Sequence, residues 1–144
     1  MSRHFRRLFF VLAVAWLFAG CTHIERTVTP GRDPAAPRRL FVAENLADNH
    51  RLAKRIAAAL RARGLPAESG PLTMMPEKTD AVIHYEDRWT WDFGEHMSYL
   101  RLDLHDPGEK RPYATAYRIR HIASSTDLDA VVKVLVEELL RPAP

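Results

Sequence analysis

The chain has 144 residues, with 21 lysines and arginines against 18 aspartates and glutamates, and a formal net charge of +3 at pH 7. Arg3, Arg6 and Arg7 are the only Asp, Glu, Lys or Arg residues among the first 20, so the rest of the chain carries 18 basic and 18 acidic residues. Binding to nucleic acid depends on clustered positive charge, and this balance argues against a nucleic-acid partner.

The first 20 residues have the layout of a secretory signal peptide. Three arginines precede the apolar run Leu8–Phe18, and the small residues Ala19 and Gly20 follow it. This order of basic, apolar and small residues is typical of a cleaved export signal. A membrane-spanning helix needs about 20 apolar residues, more than this run holds. We therefore expect residues 1–20 to be removed rather than to remain as a transmembrane anchor.

Cys21, the single cysteine of the chain, directly follows this export signal. The segment Leu17–Cys21, with the sequence Leu-Phe-Ala-Gly-Cys, resembles the lipobox of bacterial lipoproteins. The resemblance implies diacylglycerol on the cysteine, cleavage just before it, and a further fatty acyl chain such as palmitate on the new amino terminus. It also implies the outer membrane, because retention at the inner membrane usually involves an aspartate at the next position, which is Thr22 here. The alternative is an ordinary signal peptide with a chance cysteine.

Residues 21–38 are predicted to form a flexible, lipidated tether. The segment Thr22–Arg39 is poor in apolar residues and is interrupted by Pro30, Gly31, Pro34 and Pro37. Proline-rich chain extends by about 3.1 Å per residue, so such a tether would reach roughly 50 Å. We therefore expect a single periplasmic domain over residues 39–141 that stands off the membrane.

The first elements predicted for this domain are a short strand and a helix. The strand is the apolar segment 39–43. Asn45 or Asp48 is suited to cap the helix, and Gly64 to end it in a left-handed conformation. Its apolar stripe consists of Leu52, Ile56, Ala59 and Leu60. A loop with three prolines follows, with a short edge strand predicted near residues 66–69.

Three further strands are predicted from alternating apolar and polar residues at 80–93, 97–105 and 113–121. A period of two is typical of a strand with one buried face. Turn signals at 92–95 and 106–109 connect these strands as hairpins. One face of the first strand carries Ala81, Ile83, Tyr85, Asp87, Trp89, Trp91 and Phe93.

A helix is predicted to close the domain. Thr126 and Asp129 form a capping-box pattern at its start, and Pro142 ends it. Its apolar stripe consists of Leu128, Val131, Val132, Leu135, Val136 and Leu139. The elements together predict an α+β fold, a two-layer sandwich whose mostly antiparallel sheet of about four strands carries two helices on one face.

The most unusual string of the chain is Tyr85–Asp92, in which Tyr85, Trp89 and Trp91 share a strand face with Asp87. It resembles a segment of small uncharacterised envelope lipoproteins of Gram-negative bacteria, over roughly residues 80–140, a family with no established activity to carry over. Tyr85, Asp87, Trp89, Trp91 and Asp92 are therefore the candidate binding surface, for a sugar or a protein partner. The alternative is that the tryptophans seal the sheet against a helix while Asp87 accepts an indole hydrogen bond.

The sequence offers little support for catalysis or for a metal. His84 with Glu86, and Asp103 with His105, each share a strand face and could in principle bind zinc, but no ligand motif accompanies them. No Gly-x-Ser-x-Gly elbow or glycine-rich phosphate loop is present. We therefore assign no catalytic residue, no metal and no cofactor.

These observations favour a non-enzymatic lipoprotein of the outer membrane that acts as an adaptor or as an envelope assembly or maintenance factor. Its expected partners are the membrane, through Cys21, and an envelope protein or a glycan. Two alternatives remain open, namely an envelope-acting enzyme or metal-dependent module, and a binder of small ligands or glycans that uses the aromatic strand. Burial of Tyr85, Trp89 and Trp91 would count against the aromatic strand, and convergence of His84, His105 and a carboxylate would favour a metal.

Overall fold

The computed structural model describes residues 22–91, 94–120 and 127–143. The predictions made for residues 1–20, Cys21, Asp92 and Thr126 fall outside these ranges. Within them, no helix combines the length and the apolar character needed to cross a membrane.

The domain belongs to the α+β class, as the sequence predicts, with a six-stranded sheet and two α-helices among its described residues. The strand order across the sheet is β1-β6-β5-β4-β2-β3. In chain order the elements are β1 (Thr22–Val28), β2 (Leu40–Ala43), α1 (Leu52–Ala62), β3 (Ala67–Gly70), β4 (Ala81–Trp91), β5 (Glu95–His105), β6 (Ala114–Arg120) and α2 (Leu128–Leu139), with a 3₁₀ turn at Leu72–Met74.

The sheet has more strands than the predicted number of about four, and it is more mixed than the predicted, mostly antiparallel sheet. β2 pairs in parallel with both β3 and β4, whereas the other pairs are antiparallel. All four residues of β2 are buried, as is usual for a parallel strand that has neighbours on both sides. β3 forms one edge of the sheet, and its residues Ala67–Gly70 lie close to the short edge strand predicted near residues 66–69.

The prediction of a flexible tether over residues 21–38 is wrong for its described part. Thr22–Val28 pair with β6 along their whole length, from Thr22 opposite Arg120 to Val28 opposite Ala114. Ile24 and Val28 pack against the core, which stabilises the strand and covers what would otherwise be an open edge of β6. The following loop also lies on the domain, because Pro34 is buried.

The main core lies between one face of the sheet and the two helices. Leu52, Ile56 and Leu60 of α1 form one cluster with Leu135 and Leu139 of α2 and with the inward side chains of the strands. This arrangement agrees with the two predicted helical stripes, which place apolar residues on one side of each helix. Among the described residues, the opposite face of the sheet carries no helix and has only a small apolar cluster, made by Phe41, Ala43 and Val82 with Met75 beside it.

Helix α1 begins at Leu52 and relies on Asp48 at its amino end. The Asp48 carboxylate accepts hydrogen bonds from the backbone N–H groups of Ala53 and His50, each at 3.1 Å. These bonds satisfy groups that have no partner within the helix. Gly64, with φ of 80°, follows the last turn in the left-handed conformation that the sequence predicts.

Helix α2 begins at Leu128 with Asp127 as its cap. The Asp127 side chain accepts hydrogen bonds from the backbone N–H groups of Asp129 and Ala130. An aspartate in this position also complements the positive amino end of the helix dipole.

A β-bulge lies near the end of the β4–β5 hairpin where the two strands are connected. Arg88 pairs with Tyr99, but the next residue, Trp89, pairs with Met97, so Ser98 is an extra residue on β5. The Ser98 hydroxyl donates to the Arg88 carbonyl at 3.1 Å. The extra residue shifts the alternation of β5 by one position. Met97 therefore points into the core, as Leu100 does, although an odd number of positions separates them in sequence.

Candidate functional site

Tyr85, the first residue of the predicted aromatic surface, belongs to the core. Its side chain is only 8% exposed. Its hydroxyl donates to Asp48 Oδ2 at 2.8 Å and accepts from the Asn45 backbone N–H at 3.1 Å. Burial, together with the neighbouring Asp48 carboxylate, raises the pKa of Tyr85. The tyrosine therefore joins β4 to the loop before α1 and presents no free surface.

Trp89 is half-buried and packs against the main core. Its indole Nε1 donates to Asp87 Oδ2 at 2.6 Å. The His50 imidazole stacks on the Trp89 ring with centroids 3.5 Å apart and planes inclined by 15°. The Trp89 indole and the Asp87 carboxylate thus satisfy each other's hydrogen-bonding needs. For Trp89 this agrees with the alternative in which the tryptophans seal the sheet against a helix.

Trp91 differs from its neighbours on the same strand, because its side chain is 76% exposed. It lies at the end of β4, opposite Glu95 of β5. Asp92, the last residue of the predicted surface, lies outside the described residues. The structure therefore divides the aromatic strand into a structural part, formed by Tyr85, Asp87 and Trp89, and one exposed tryptophan.

A groove of about 760 Å³ lies on the helix-free face of the sheet. Its floor comes from β4 and β5 and its walls from the turn after β5 and from the 3₁₀ turn, through residues such as Leu72 and Lys110. His84 and His105 meet in it, with ring centroids 4.8 Å apart and planes at 72°. Asp103, directly opposite His84 on the neighbouring strand, is part of the same lining.

Hydrogen bonds occupy both oxygens of the Asp103 carboxylate. Oδ1 accepts from the Thr115 hydroxyl at 2.7 Å, and Oδ2 accepts from Arg101 Nε at 2.8 Å. The two histidines and a carboxylate therefore do converge, but the carboxylate is already bound. Among residues 22–91, 94–120 and 127–143, no group of three or more His, Cys, Asp or Glu side chains is placed to hold a metal ion.

The environment of the groove affects the charge of its histidines. Burial lowers the pKa of His84 below its ordinary value of 6.5, and the nearby His105 lowers it further, while Asp103 opposes the effect. The His105 Nδ1 lies 3.2 Å from the Glu109 carbonyl, which it meets as a donor. The groove thus presents His84 mainly as a neutral imidazole, able to donate or accept a hydrogen bond but not to act as a fixed cation.

The helix-free face continues from the groove towards β1 as a polar and aromatic surface. The Tyr99 and Tyr117 rings lie 6.1 Å apart, and the Arg88 guanidinium lies over Tyr99 at 5.1 Å. The Tyr117 hydroxyl donates to Glu25 of β1. Alternation along β5 already places Tyr99 on the same face as His105, and this signal could have directed attention to the helix-free face.

No protein-family model matches the chain, and no curated protein matches it. Solved structures are similar to it. A PelC dodecamer from Paraburkholderia phytofirmans has a TM-score of 0.56 at 18% identity, covering 83% of this chain and 95% of that one. A variant of the same dodecamer gives 0.55 with equal identity and coverage.

A PDZ domain protein from Parabacteroides distasonis ATCC 8503 has a TM-score of 0.50 at 12% identity. The similarity covers 90% of this chain but only 38% of that protein. At such low identities these similarities establish a shared fold.

Proposed function

We propose that the chain is a lipid-anchored protein of the outer membrane with a non-enzymatic role in the envelope, and that copies of it assemble into a closed homo-oligomer. The observation that carries this proposal is the fold, which is shared along 95% of a PelC chain that forms a dodecamer. The export signal and the lipobox-like segment ending at Cys21 support the location.

The open edges of the sheet support assembly. β1 and β3 lie at its two ends, and β1, with seven residues, is the longer edge. The outer edge of a terminal strand has unpaired N–H and C=O groups that can pair with another chain. Two different surfaces at opposite ends of one subunit make a head-to-tail contact, which closes into a ring when the rotation between subunits permits.

The anchor is tested by Cys21→Ser. We expect the variant to lose incorporation of labelled palmitate and to move from the membrane fraction to the soluble periplasmic fraction, because the serine hydroxyl does not take the acyl group. Thr22→Ser, one residue later, is the matched control and should behave as wild type. Membrane association that persists in Cys21→Ser would contradict the lipoprotein assignment.

Assembly is tested on residues 22–144 by native mass spectrometry. The Thr29 N–H donates to Tyr113 at 2.8 Å, and N–H groups alternate in direction along a strand, so the N–H of Arg26 points away from β6. Arg26→Pro should therefore block pairing at the outer edge without removing a bond to β6. Arg26→Ala, which removes the same side chain but keeps the N–H, should still assemble. A monomeric wild type would contradict the proposal.

A second candidate function is binding of a small polar ligand in the groove on the helix-free face. The observation that favours it is the meeting of His84 and His105 beside the buried carboxylate of Asp103. Ligand-observed NMR with a panel of small periplasmic metabolites tests it. His84→Phe should abolish any binding that occurs there, whereas Thr90→Ala, further along the same strand, should not. Absence of binding across the panel, or binding unaffected by His84→Phe, would count against the groove.

A further inference from the structure

One end of the domain, which we call the anchor end, is defined by Thr22, Trp91 and Arg120. Thr22 begins β1 and Arg120 ends β6 opposite it. β4 runs in the opposite direction to β1, because three antiparallel pairings separate them, so the end of β4 at Trp91 lies at the same end of the sheet. β2 runs parallel to β4 but ends well short of Trp91, because Val42 pairs with Ile83.

Trp91, which is 76% exposed, is the large exposed apolar side chain of the anchor end. In the described part of the chain the other large exposed apolar residues are Leu46, in the loop between β2 and α1, Leu72 and Met74, in the loop after β3, and Val134, on α2. Tryptophan combines an apolar ring with a polar N–H and is enriched at protein and membrane interfaces, so this exposed side chain is suited to such a contact.

Contacts with the loop between β2 and α1 support the hairpin that carries Trp91. His50, in this loop, stacks on Trp89 with ring centroids 3.5 Å apart. Its Nε2 also lies 3.4 Å from Glu95 Oε2, across the hairpin from Trp91. The loop and the hairpin therefore support each other.

The register of the sheet gives the height of Trp91 relative to the anchor. His23, Ile119, Tyr99 and Arg88 are paired in sequence and form one row across four strands. Thr22 lies one residue beyond this row and Trp91 lies three residues beyond it in the same direction. At about 3.3 Å per residue, Trp91 projects about 7 Å further than Thr22. Cys21 is joined to Thr22 by one peptide bond, which separates their Cα atoms by about 3.8 Å.

We infer that the anchor end lies on the lipid surface, with Trp91 in the interfacial layer of the leaflet that holds the acyl chains of Cys21. This inference rests on the proposed lipidation. With acyl chains attached one residue before a strand of the sheet, the domain has no tether to lift it from the bilayer, so the hairpin reaches the headgroups. Tryptophan favours this layer because its ring is apolar and its indole N–H is polar.

The experiment uses the acylated protein in vesicles of phosphatidylethanolamine and phosphatidylglycerol in which part of the acyl chains is brominated. Once residues 1–20 are removed, Trp89 and Trp91 are the only tryptophans. Bromine quenches the fluorescence of indoles that enter the bilayer. We expect loss of about half of the emission, because one of the two indoles, that of Trp91, lies at an interfacial depth. Trp91→Phe should leave the remaining emission, from Trp89, unquenched.

One further variant makes the result decisive. A flexible Gly/Ser linker of about 15 residues, inserted between Cys21 and Thr22, would reach roughly 20 Å and should reduce the quenching while the protein stays in the membrane. An acylated, vesicle-bound protein whose Trp91 is not quenched would overturn this inference alone, whereas failure of acylation in cells would overturn the proposed function. Emission from Trp91 that is already shifted to the blue without lipid would assign the residue to a contact between subunits and would also overturn the inference.

Discussion

Trp89 and Trp91 lie two residues apart on β4 and should respond very differently to truncation. Replacing a fully buried large side chain by alanine costs about 3–5 kcal/mol. Trp89 is half-buried but also stacks on His50 and bonds to Asp87. We expect Trp89→Ala to cost about 2–3 kcal/mol, with the aromatic stack contributing about 1 kcal/mol. Trp91 is 76% exposed, so Trp91→Ala should remain within about ±0.5 kcal/mol of wild type.

Urea unfolding of residues 22–144, followed by far-ultraviolet circular dichroism, measures both values without depending on tryptophan fluorescence. His50→Ala is a useful companion, because it removes the stacking partner of Trp89 but keeps the indole in place; its cost should be smaller than that of Trp89→Ala. Equal stability of wild type and Trp89→Ala would refute the assignment of this residue to the core. A large loss in Trp91→Ala would refute its exposure.

Two further predictions concern ionisable groups. Asp48→Ala removes an acceptor for Ala53, His50 and Tyr85 and should cost about 2–3 kcal/mol in urea unfolding. Burial alone would raise the pKa of Asp48, but these hydrogen bonds lower it. The contribution of Asp48 to stability is therefore present above its unfolded pKa of 3.8 and is lost as pH falls through its folded pKa. The pKa of His84 is lowered mainly by burial. As pH falls, the histidine is therefore protonated in the unfolded chain before it is protonated in the folded one, and stability should fall below about pH 6.5. His84→Gln should reduce that fall, and NMR titration of the imidazole checks the direction of the pKa shift.

The elements that the sequence predicts correctly are those with a strong internal period. In β4, the alternate residues Ala81, Ile83 and Tyr85 face the helices, and the stripes of α1 and α2 face the core. Period alone specifies a buried face, because it records which side chains avoid water. It does not specify which strand lies beside which, and the parallel neighbours of β2 depend on contacts distant in sequence.

The candidate site could be predicted less well from the period of the sequence. A period of two places Trp89 and Trp91 on one face, but it does not indicate how far along the strand that face is covered. In the structure Trp89 packs against the core and Trp91 is exposed. The groove on the opposite side combines His84 with His105, Asp103 and a turn distant in the chain. Such a convergence depends on the register between β4 and β5, which the bulge at Ser98 also affects.

The error over residues 22–28 has the largest consequence for the proposed function, because in a lipid-anchored protein it decides whether the domain stands off the membrane or lies on it. The prolines that suggest a tether begin at Pro30, after β1 has ended, and the alternation of Ile24 and Val28 with polar residues is too short to predict a strand with certainty. If β1 is held as described, Ile24→Ala and Val28→Ala should each cost about 1–2 kcal/mol in urea unfolding, because each side chain is partly buried against the core. Thr27→Ala, at an exposed position of the same strand, should change stability by less than about 0.5 kcal/mol. If all three variants match wild type, β1 is detached in solution, and the proposed lipid anchor would then be joined to the domain by a tether that lifts it from the bilayer.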